Sequence, residues 1–175
     1  DIGQSQNVRI LYNTMEEVAG YGIRVGGNTG SLSGRCTSIE ISGNYFEQIK
    51  QPISLGEYSG VQGAVVSSNY TGNNNNDAVP SVQIKIAFLT LGRVQATKIF
   101  GNTYFGSKRV TIGTPGNPDY KPAVPGEAFI RFLYSPRGGT LVFLKDSTIE
   151  NNFFSNIRTH YDAIDFPNPN LLFEQ

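Results

Sequence analysis

Polar and charged side chains alternate in one segment near the end of the sequence, and this segment has the best prospects for chemistry. Asn156, Arg158, His160 and Asp162 occupy every second position, and His160 is the only histidine of the chain. An extended strand would therefore present all four on one face. Glu150 and Asp165 flank the segment. We predict that the catalytic groups come from this region, as the set Glu150, His160, Asp162 and Asp165.

The chemistry predicted for these carboxylates is hydrolysis of a glycosidic bond. Such hydrolysis needs two carboxyl groups, about 5–5.5 Å apart in retaining enzymes and about 6.5–9.5 Å apart in inverting ones. The alternative is that acids in loops are merely solvated or cap turns. For His160, the alternative to a catalytic base is an ordinary surface residue.

Tyrosines in turns and loops are candidates for sugar binding, because the ring offers a flat apolar face and a polar tip. The alternative for each is packing in the core or in a subunit interface. The predicted substrate-binding residues combine such tyrosines with the polar segment and are Asn156, Arg158, Tyr161, Tyr120 and Tyr134. Tyr21, Tyr58 and Tyr70 are further tyrosines of this kind.

A six-residue phrase recurs five times and must position these groups. In each copy an aliphatic residue precedes an asparagine by three places, and a large residue follows it by two. The copies are Ile10/Asn13/Met15, Ile41/Asn44/Phe46, Val66/Asn69/Thr71, Ile99/Asn102/Tyr104 and Ile149/Asn152/Phe154, with Thr71 the exception in size. The asparagines are 31, 25, 33 and 50 residues apart. Repeats of this length predict a stacked architecture.

The residues before each asparagine alternate between apolar and mixed positions, which indicates a strand with one buried face. The chain must then turn, and we expect the asparagine to take the left-handed conformation, which asparagine tolerates well. Stacked asparagines can then hydrogen-bond from rung to rung as a ladder. The alternative is that each marks an ordinary turn, but this does not explain the fixed offsets.

Further elements follow from the same pattern. A second apolar strand follows each phrase, and after Asn69 it is predicted from the alternation of Val82, Ile84, Ile86 and Phe88. Residues 14–19 are the best helical candidate, although a short one. Outward positions before the asparagines contain no acidic pair on neighbouring rungs, and Glu40 is expected to pair with Arg9.

The predicted fold is therefore all-β, a parallel β-helix, or solenoid, of about five to six coils with loop insertions. The domain is predicted to span residues 1–166, with a Pro/Gly-rich insertion at 113–126. Residues 167–175 form a tail that packs on the domain or on a neighbouring subunit. Because the sequence begins at Asp1, we expect a processed product or a piece of a longer protein.

Composition excludes several functional classes for the 175 residues. The formal net charge is zero and no basic stripe is present, so nucleic acid is not a predicted partner. No apolar run is long enough to insert in a membrane. Cys36 is the single cysteine, so no intrachain disulfide forms. No zinc spacing or phosphate-binding loop appears, and neither a metal site nor a cofactor is predicted.

The segments Ile41–Phe46 and Ile149–Phe154 resemble the repeat of right-handed parallel β-helices in the pectate-lyase-like superfamily. The resemblance covers roughly residues 7 to 166. Irregular coil lengths, the lack of a disulfide and plentiful Asn, Tyr and Gly make the chain most similar to bacteriophage tailspikes and capsule depolymerases.

That resemblance implies a homotrimer in the phage tail of the virion, or otherwise extracellular, that recognises bacterial surface polysaccharide, either capsule or lipopolysaccharide. It also implies endoglycosidase activity in many members. Fold alone does not determine function. The alternatives are a monomeric carbohydrate-active enzyme, either a polysaccharide lyase or a glycoside hydrolase, and a structural trimerisation segment without a ligand.

Overall fold

A computed structural model describes residues 2, 5–18, 20–26, 35–47, 49, 51–72, 87–105, 128–132, 143–155, 164–165 and 172–174, with the backbone alone at 128, 143, 164–165 and 172–174. In these residues the regular structure is entirely β-strand, which confirms the all-β class. Within the same ranges, no helix is long and apolar enough to cross a membrane.

The strands are short, and most have three to five residues. In chain order they are β1 (Gln6–Leu11), β2 (Thr14–Glu16), β3 (Tyr21–Val25), β4 (Arg35–Ser42), β5 (Tyr45–Glu47), β6 (Gln51–Leu55), β7 (Gly60–Gln62), β8 (Val65–Ser67), β9 (Tyr70–Gly72), β10 (Ala87–Leu91), β11 (Arg93–Gln95), β12 (Lys98–Phe100), β13 (Thr103–Phe105), β14 (Ala128–Phe132), β15 (Phe143–Lys145), β16 (Thr148–Glu150), β17 (Phe153–Ser155), β18 (Ile164–Asp165) and β19 (Leu172–Glu174).

These strands form three parallel sheets in the described part of the chain. Sheet 1 has nine strands: β1, β4, β7, β8, β11, β12, β15, β16 and β19. Sheet 2 has the order β17-β13-β9-β5-β2, and sheet 3 has the order β18-β14-β10-β6-β3. The chain passes through sheets 1, 2 and 3 in turn, and we call each such passage a rung. Each rung pairs in parallel with the next, as β5 pairs with β2 and β9.

The chain turns at residues with positive φ that recur at the same place in every rung. One corner, inside sheet 1, has Asn7, Ser38, Gly63, Ala96 and Asp146, and the next has Tyr12, Gly43, Ser68, Gly101 and Asn151. The second set immediately precedes the five repeated asparagines. The expectation that the asparagines themselves are left-handed is therefore wrong. The turn is complete one residue earlier, and the backbone N–H groups of the first four asparagines point along the stack to the next rung.

The core lies between the three sheets and contains the aliphatic residues of the repeats, with Ile41, Val66 and Ile99 fully buried. On sheet 2 the central residue of each strand faces inward. Thr71 is the small member of this column, and Phe88 from sheet 3 fills the space beside it. The Phe88 ring lies 6.4 Å from Phe46 and 6.1 Å from Tyr104, the inward residues on the rungs either side of Thr71.

One further sequence expectation is corrected. The helical candidate at 14–19 is wrong, because Thr14–Glu16 form β2 and Glu17 has a φ of 54°. Where the predicted strand around residues 82–88 reaches the described residues, Ala87–Leu91 form β10, and Leu89 and Leu91 align with Ile53 and Leu55. Residues 82, 84 and 86 lie outside the described residues, as does the predicted insertion 113–126. In the predicted tail, Leu172–Glu174 pair with β15 and extend sheet 1.

Candidate ligand-binding surface on sheet 2

The repeated asparagines lie at the start of sheet 2 and hold its strands in register. The side-chain Nδ2 of each donates to Oδ1 of the asparagine on the next rung, at 2.9 Å in every step from Asn13 to Asn152. The backbone N–H of each donates to the same oxygen at 3.0–3.1 Å. Asn44, Asn69 and Asn102 are buried. This ladder makes sheet 2 a rigid platform for the residues that follow each asparagine.

A row of aromatic rings crosses the outer face of sheet 2, perpendicular to its strands. Tyr45 and Tyr70 are paired in register, and their rings stack with centroids 5.6 Å apart and planes 10° from parallel. Phe105 continues the row 5.6 Å from Tyr70, and Phe153 lies 5.5 Å from Phe105. Tyr70 is 42% exposed and Phe153 is 55% exposed. We call these four residues the aromatic row.

Gly72 provides the room that the two tyrosines occupy. A Cβ at this position would lie 2.9 Å from Cε1 of Tyr70 and 3.2 Å from the hydroxyl oxygen of Tyr45. Both distances are shorter than ordinary van der Waals contact. Because Gly72 has no side chain, the rings of Tyr45 and Tyr70 can lie over the third rung. The stacking of the two rings depends on this space.

Two carboxylates lie at the Tyr45 end of the aromatic row. Glu16 and Glu47 are register partners on neighbouring rungs, in the column that continues with Gly72. The Tyr45 hydroxyl donates to Oε2 of Glu47 at 2.7 Å. This hydrogen bond, together with burial and the negative charges of Glu47 and Glu16, raises the pKa of Tyr45 to about 12. The phenol therefore stays protonated and remains a donor at neutral pH.

The residues predicted to be catalytic are spread over more than one sheet where the structure describes them. Glu150 is exposed on β16 of sheet 1. Asp165 belongs to β18 of sheet 3, with its backbone paired to Arg131. Its side chain lies outside the described residues. So do the whole of the predicted residues Asn156, Arg158, His160, Tyr161, Asp162, Tyr120 and Tyr134.

Other sequence-level assignments fall within the described residues. The expected Arg9–Glu40 ion pair is confirmed, with Nε of Arg9 2.7 Å from Oε2 of Glu40. Tyr58 is buried, so it is no sugar-binding candidate. Tyr21 and Tyr70 lie on strands β3 and β9 rather than in loops.

Reasoning from the sequence missed Glu16 and Glu47. The search for stacked acids covered outward positions before the asparagine, whereas these two lie three places after it. Assigning residues 14–19 to a helix also removed Glu16 from the search. Extending the strand pattern three residues past each asparagine would have found both the acidic pair and the aromatic row.

The described residues contain no group of three or more His, Cys, Asp or Glu side chains that could hold a metal ion. Comparisons with protein-family models, with curated proteins and with solved structures find no match for this chain. The geometry of the chain itself therefore carries the functional argument.

Proposed function

We propose that this chain is a right-handed parallel β-helix segment of a bacteriophage tailspike, or of a related adhesin, and that it recognises bacterial surface polysaccharide. Support for the fold comes from the passage of each rung through three parallel sheets in a constant order and from the asparagine ladder along one corner. Support for the class comes from the resemblance of the repeated phrase to the pectate-lyase-like superfamily. The protein acts as a homotrimer in this proposal.

The observation that carries the binding proposal is the exposed aromatic row on sheet 2. Exposed apolar patches of this kind mark interaction sites, and tyrosine combines an apolar ring with a hydrogen-bonding tip. The rings repeat at 5.5–5.6 Å, which is close to the length of one pyranose residue in an extended chain. A linear glycan lying across the strands would therefore meet successive rings with successive sugars, and at Tyr45 and Tyr70 it would contact the ring edges, because these two rings stack on each other.

Binding to purified bacterial polysaccharides tests this proposal. Native affinity gels containing capsular polysaccharide or lipopolysaccharide should retard the wild-type chain. Tyr70→Ala and Phe153→Ala should each weaken the retardation by about tenfold, the effect expected for losing one aromatic contact. Tyr12→Ala and Phe100→Ala are the matched controls, since both residues are exposed aromatics outside the row. Equal loss in the control variants would contradict the proposal.

Hydrolysis of the bound glycan is a second candidate function, and the Glu16–Glu47 pair favours it. Neighbouring strands lie about 4.8 Å apart, so carboxylates in register on adjacent rungs are near the separation of about 5–5.5 Å that retaining glycosidases use. The hydrogen bond from the Tyr45 hydroxyl holds Oε2 of Glu47 in a fixed position beside the aromatic row.

Release of reducing ends separates binding from cutting. If the pair is catalytic, Glu16→Gln and Glu47→Gln should each abolish release while leaving retardation in the affinity gel. Glu17→Gln is the control, because Glu17 is an exposed neighbouring acid at the corner rather than on the strand. If the wild type binds the polysaccharide but releases no reducing ends, the result supports an adhesin and contradicts a hydrolase.

A further inference from the structure

Arg93 is a buried arginine with an unsatisfied guanidinium group. It follows Gly92 and opens β11, where the chain leaves sheet 3 and enters sheet 1. The residue is only 8% exposed. Its Nε and Nη2 atoms are buried and have no hydrogen-bond partner in the part of the chain that the structure describes. Burying a charge without a partner costs several kcal/mol or more, so the arrangement calls for an anion.

Other arginines in the described residues show what pairing looks like in this protein. Arg9 contacts the carboxylate of Glu40. Nη1 of Arg24 lies 3.7 Å from Oε2 of Glu57, and its guanidinium stacks 4.8 Å from the ring centroid of Tyr21. Arg93 has no comparable ion pair among the described residues. Burial correspondingly lowers the pKa of Arg93, and a bound anion would reverse this effect.

The two unsatisfied atoms belong to the same edge of the guanidinium. Nε and Nη2 point in parallel and together form the fork that grips two oxygens of one carboxylate, phosphate or sulfate. A water molecule could satisfy one of these N–H groups but would not balance the charge. Two acceptor oxygens that carry negative charge would therefore satisfy both N–H groups and balance the charge of the guanidinium.

The strand next to β11 has a position without a side chain. The backbone N–H of Arg93 donates to the carbonyl of Gly56, and Val94 pairs with Val61, the residue after Gly60. Gly60 pairs with Arg35 on its far side, and a Cβ at Gly60 would meet only Cγ of Arg35, at 3.7 Å. Gly60 therefore lies between the strands that carry Arg35 and Arg93. On sheet 3, the hydroxyls of Ser54 and Thr90 are also buried and have no hydrogen-bond partner among the described residues.

We propose that this corner is an oxyanion site, with the guanidinium of Arg93 as its main ligand and a carboxylate, phosphate or sulfate group as its occupant. Arg35 supplies a second positive charge at the open position. The site lies at a different corner from the aromatic row and does not depend on the polysaccharide proposal.

Thermal unfolding of the full chain in different anions tests the site. Inorganic phosphate, inorganic sulfate and acetate are titrated against chloride at constant ionic strength and pH, so that general screening is held equal. At least one should raise the Tm of the wild type in a saturable manner, as a ligand of the folded state does. The most effective of the three identifies the chemical source of the oxyanion.

Variants at Arg93 give the decisive comparison. Arg93→Met should weaken the apparent anion affinity by about tenfold or more, the loss expected from removing charged hydrogen bonds. Arg93→Lys should also weaken it, because a lysine keeps the charge and lacks the fork. Lys98→Met, which removes an exposed cation on sheet 1, should leave the response unchanged.

Stability in chloride provides an independent readout. Arg93→Met should be at least as stable as the wild type there, because it removes a buried unpaired charge. The proposal is overturned if the wild type shows no saturable response to any of the three anions. It is equally overturned if Arg93→Met keeps the response, or if this variant is much less stable in chloride.

Discussion

At the scale of single residues, the ladder asparagines show how position in the stack determines the contribution of one side chain. Asn69 donates to Asn102 and to the carbonyl of Ile41, and it accepts two hydrogen bonds from Asn44. Asn13 is exposed and bonds to a ladder neighbour on one side only. The same residue type is thus a buried cross-link in the centre and a surface hydrogen-bonding group at the edge.

Replacement of these two asparagines by alanine should have unequal effects. Asn69→Ala removes the acceptor of the Asn44 backbone N–H and the donor to the Ile41 carbonyl, both in the buried centre of the ladder. It should lower the free energy of unfolding by about 3 kcal/mol, whereas Asn13→Ala should cost about 1 kcal/mol. Urea unfolding of both variants measures the difference. Equal costs would mean that the ladder does not stabilise the centre of the stack.

The ionisation of Tyr45 is a second residue-level test. Its folded-state pKa of about 12 lies above the ordinary tyrosine value of 10.0. A raised pKa means that folding favours the protonated phenol. The associated stabilisation is therefore complete below about pH 10 and is lost as the pH rises through about 12.

Absorbance at the wavelength of tyrosinate should show a transition near pH 12 in the wild type that is absent in Tyr45→Phe. Burial also raises the pKa of Tyr21, and the Tyr21 transition should be present in both proteins. Glu47→Gln should move the Tyr45 transition to lower pH, since the hydrogen bond to Glu47 is the largest cause of the shift. An unchanged transition in Glu47→Gln would show that the contact does not hold the phenol proton in solution.

At the scale of elements, the corners are the strained parts of the stack. Ala96 adopts a φ of 50°, and the equivalent residue of the rung below is Gly63, with a φ of 69°. A left-handed conformation costs a non-glycine residue about 1–2 kcal/mol. Glycine avoids this strain but loses more entropy on folding, by about 0.5–1 kcal/mol.

The net expectation is that Ala96→Gly stabilises the protein by about 0.5–1 kcal/mol. Ala64→Gly is the matched control, because Ala64 follows the equivalent corner residue Gly63, between β7 and β8, and is buried without positive φ. It should destabilise by about 1 kcal/mol. The urea midpoints of the two variants measure both changes in stability. Destabilisation by Ala96→Gly would contradict the left-handed conformation assigned to Ala96.

Sequence periodicity predicted the strands well where each rung has its own alternating pattern of apolar residues. The aliphatic–asparagine spacing identified the sheet 1 strand before the asparagine in all five copies, because one buried face imposes strict alternation. For β10 the pattern included Phe88 but not Leu89 and Leu91, which are buried together with Phe88. Phe88 compensates for Thr71 on another sheet, and a contact of that kind leaves no local pattern in the sequence.

The candidate site was less predictable than the fold. Glu16, Tyr45 and Tyr70 each carry no local motif, and they become a surface only when rungs are stacked in register. Register had to be known before their neighbours could be named. Arg93 likewise reads as an ordinary surface cation in the sequence, and its burial depends on the corner around Gly92.

At the scale of the whole molecule, the proposal assigns different faces to assembly and to ligand binding. The chain is proposed to be a homotrimer, and the aromatic row is proposed to face the glycan. An exposed aromatic strip could equally serve a subunit interface, so the two uses must be distinguished by experiment.

Sedimentation equilibrium makes that distinction. The wild type should sediment as a trimer, and the double variant Tyr70→Ala/Phe153→Ala should sediment identically, because the row lies outside the interface. Dissociation of the double variant into monomers would assign the row to assembly. If the wild type sediments as a monomer, the proposed homotrimer is wrong.

Calorimetric titration with defined fragments of the bacterial polysaccharide that binds best tests the binding role of sheet 2 most directly. The wild type and the double variant Tyr12→Ala/Phe100→Ala should bind with the same affinity, while Tyr70→Ala/Phe153→Ala should bind at least about a hundredfold more weakly. Undiminished binding by the Tyr70→Ala/Phe153→Ala protein, with its fold intact, would show that the glycan is held elsewhere.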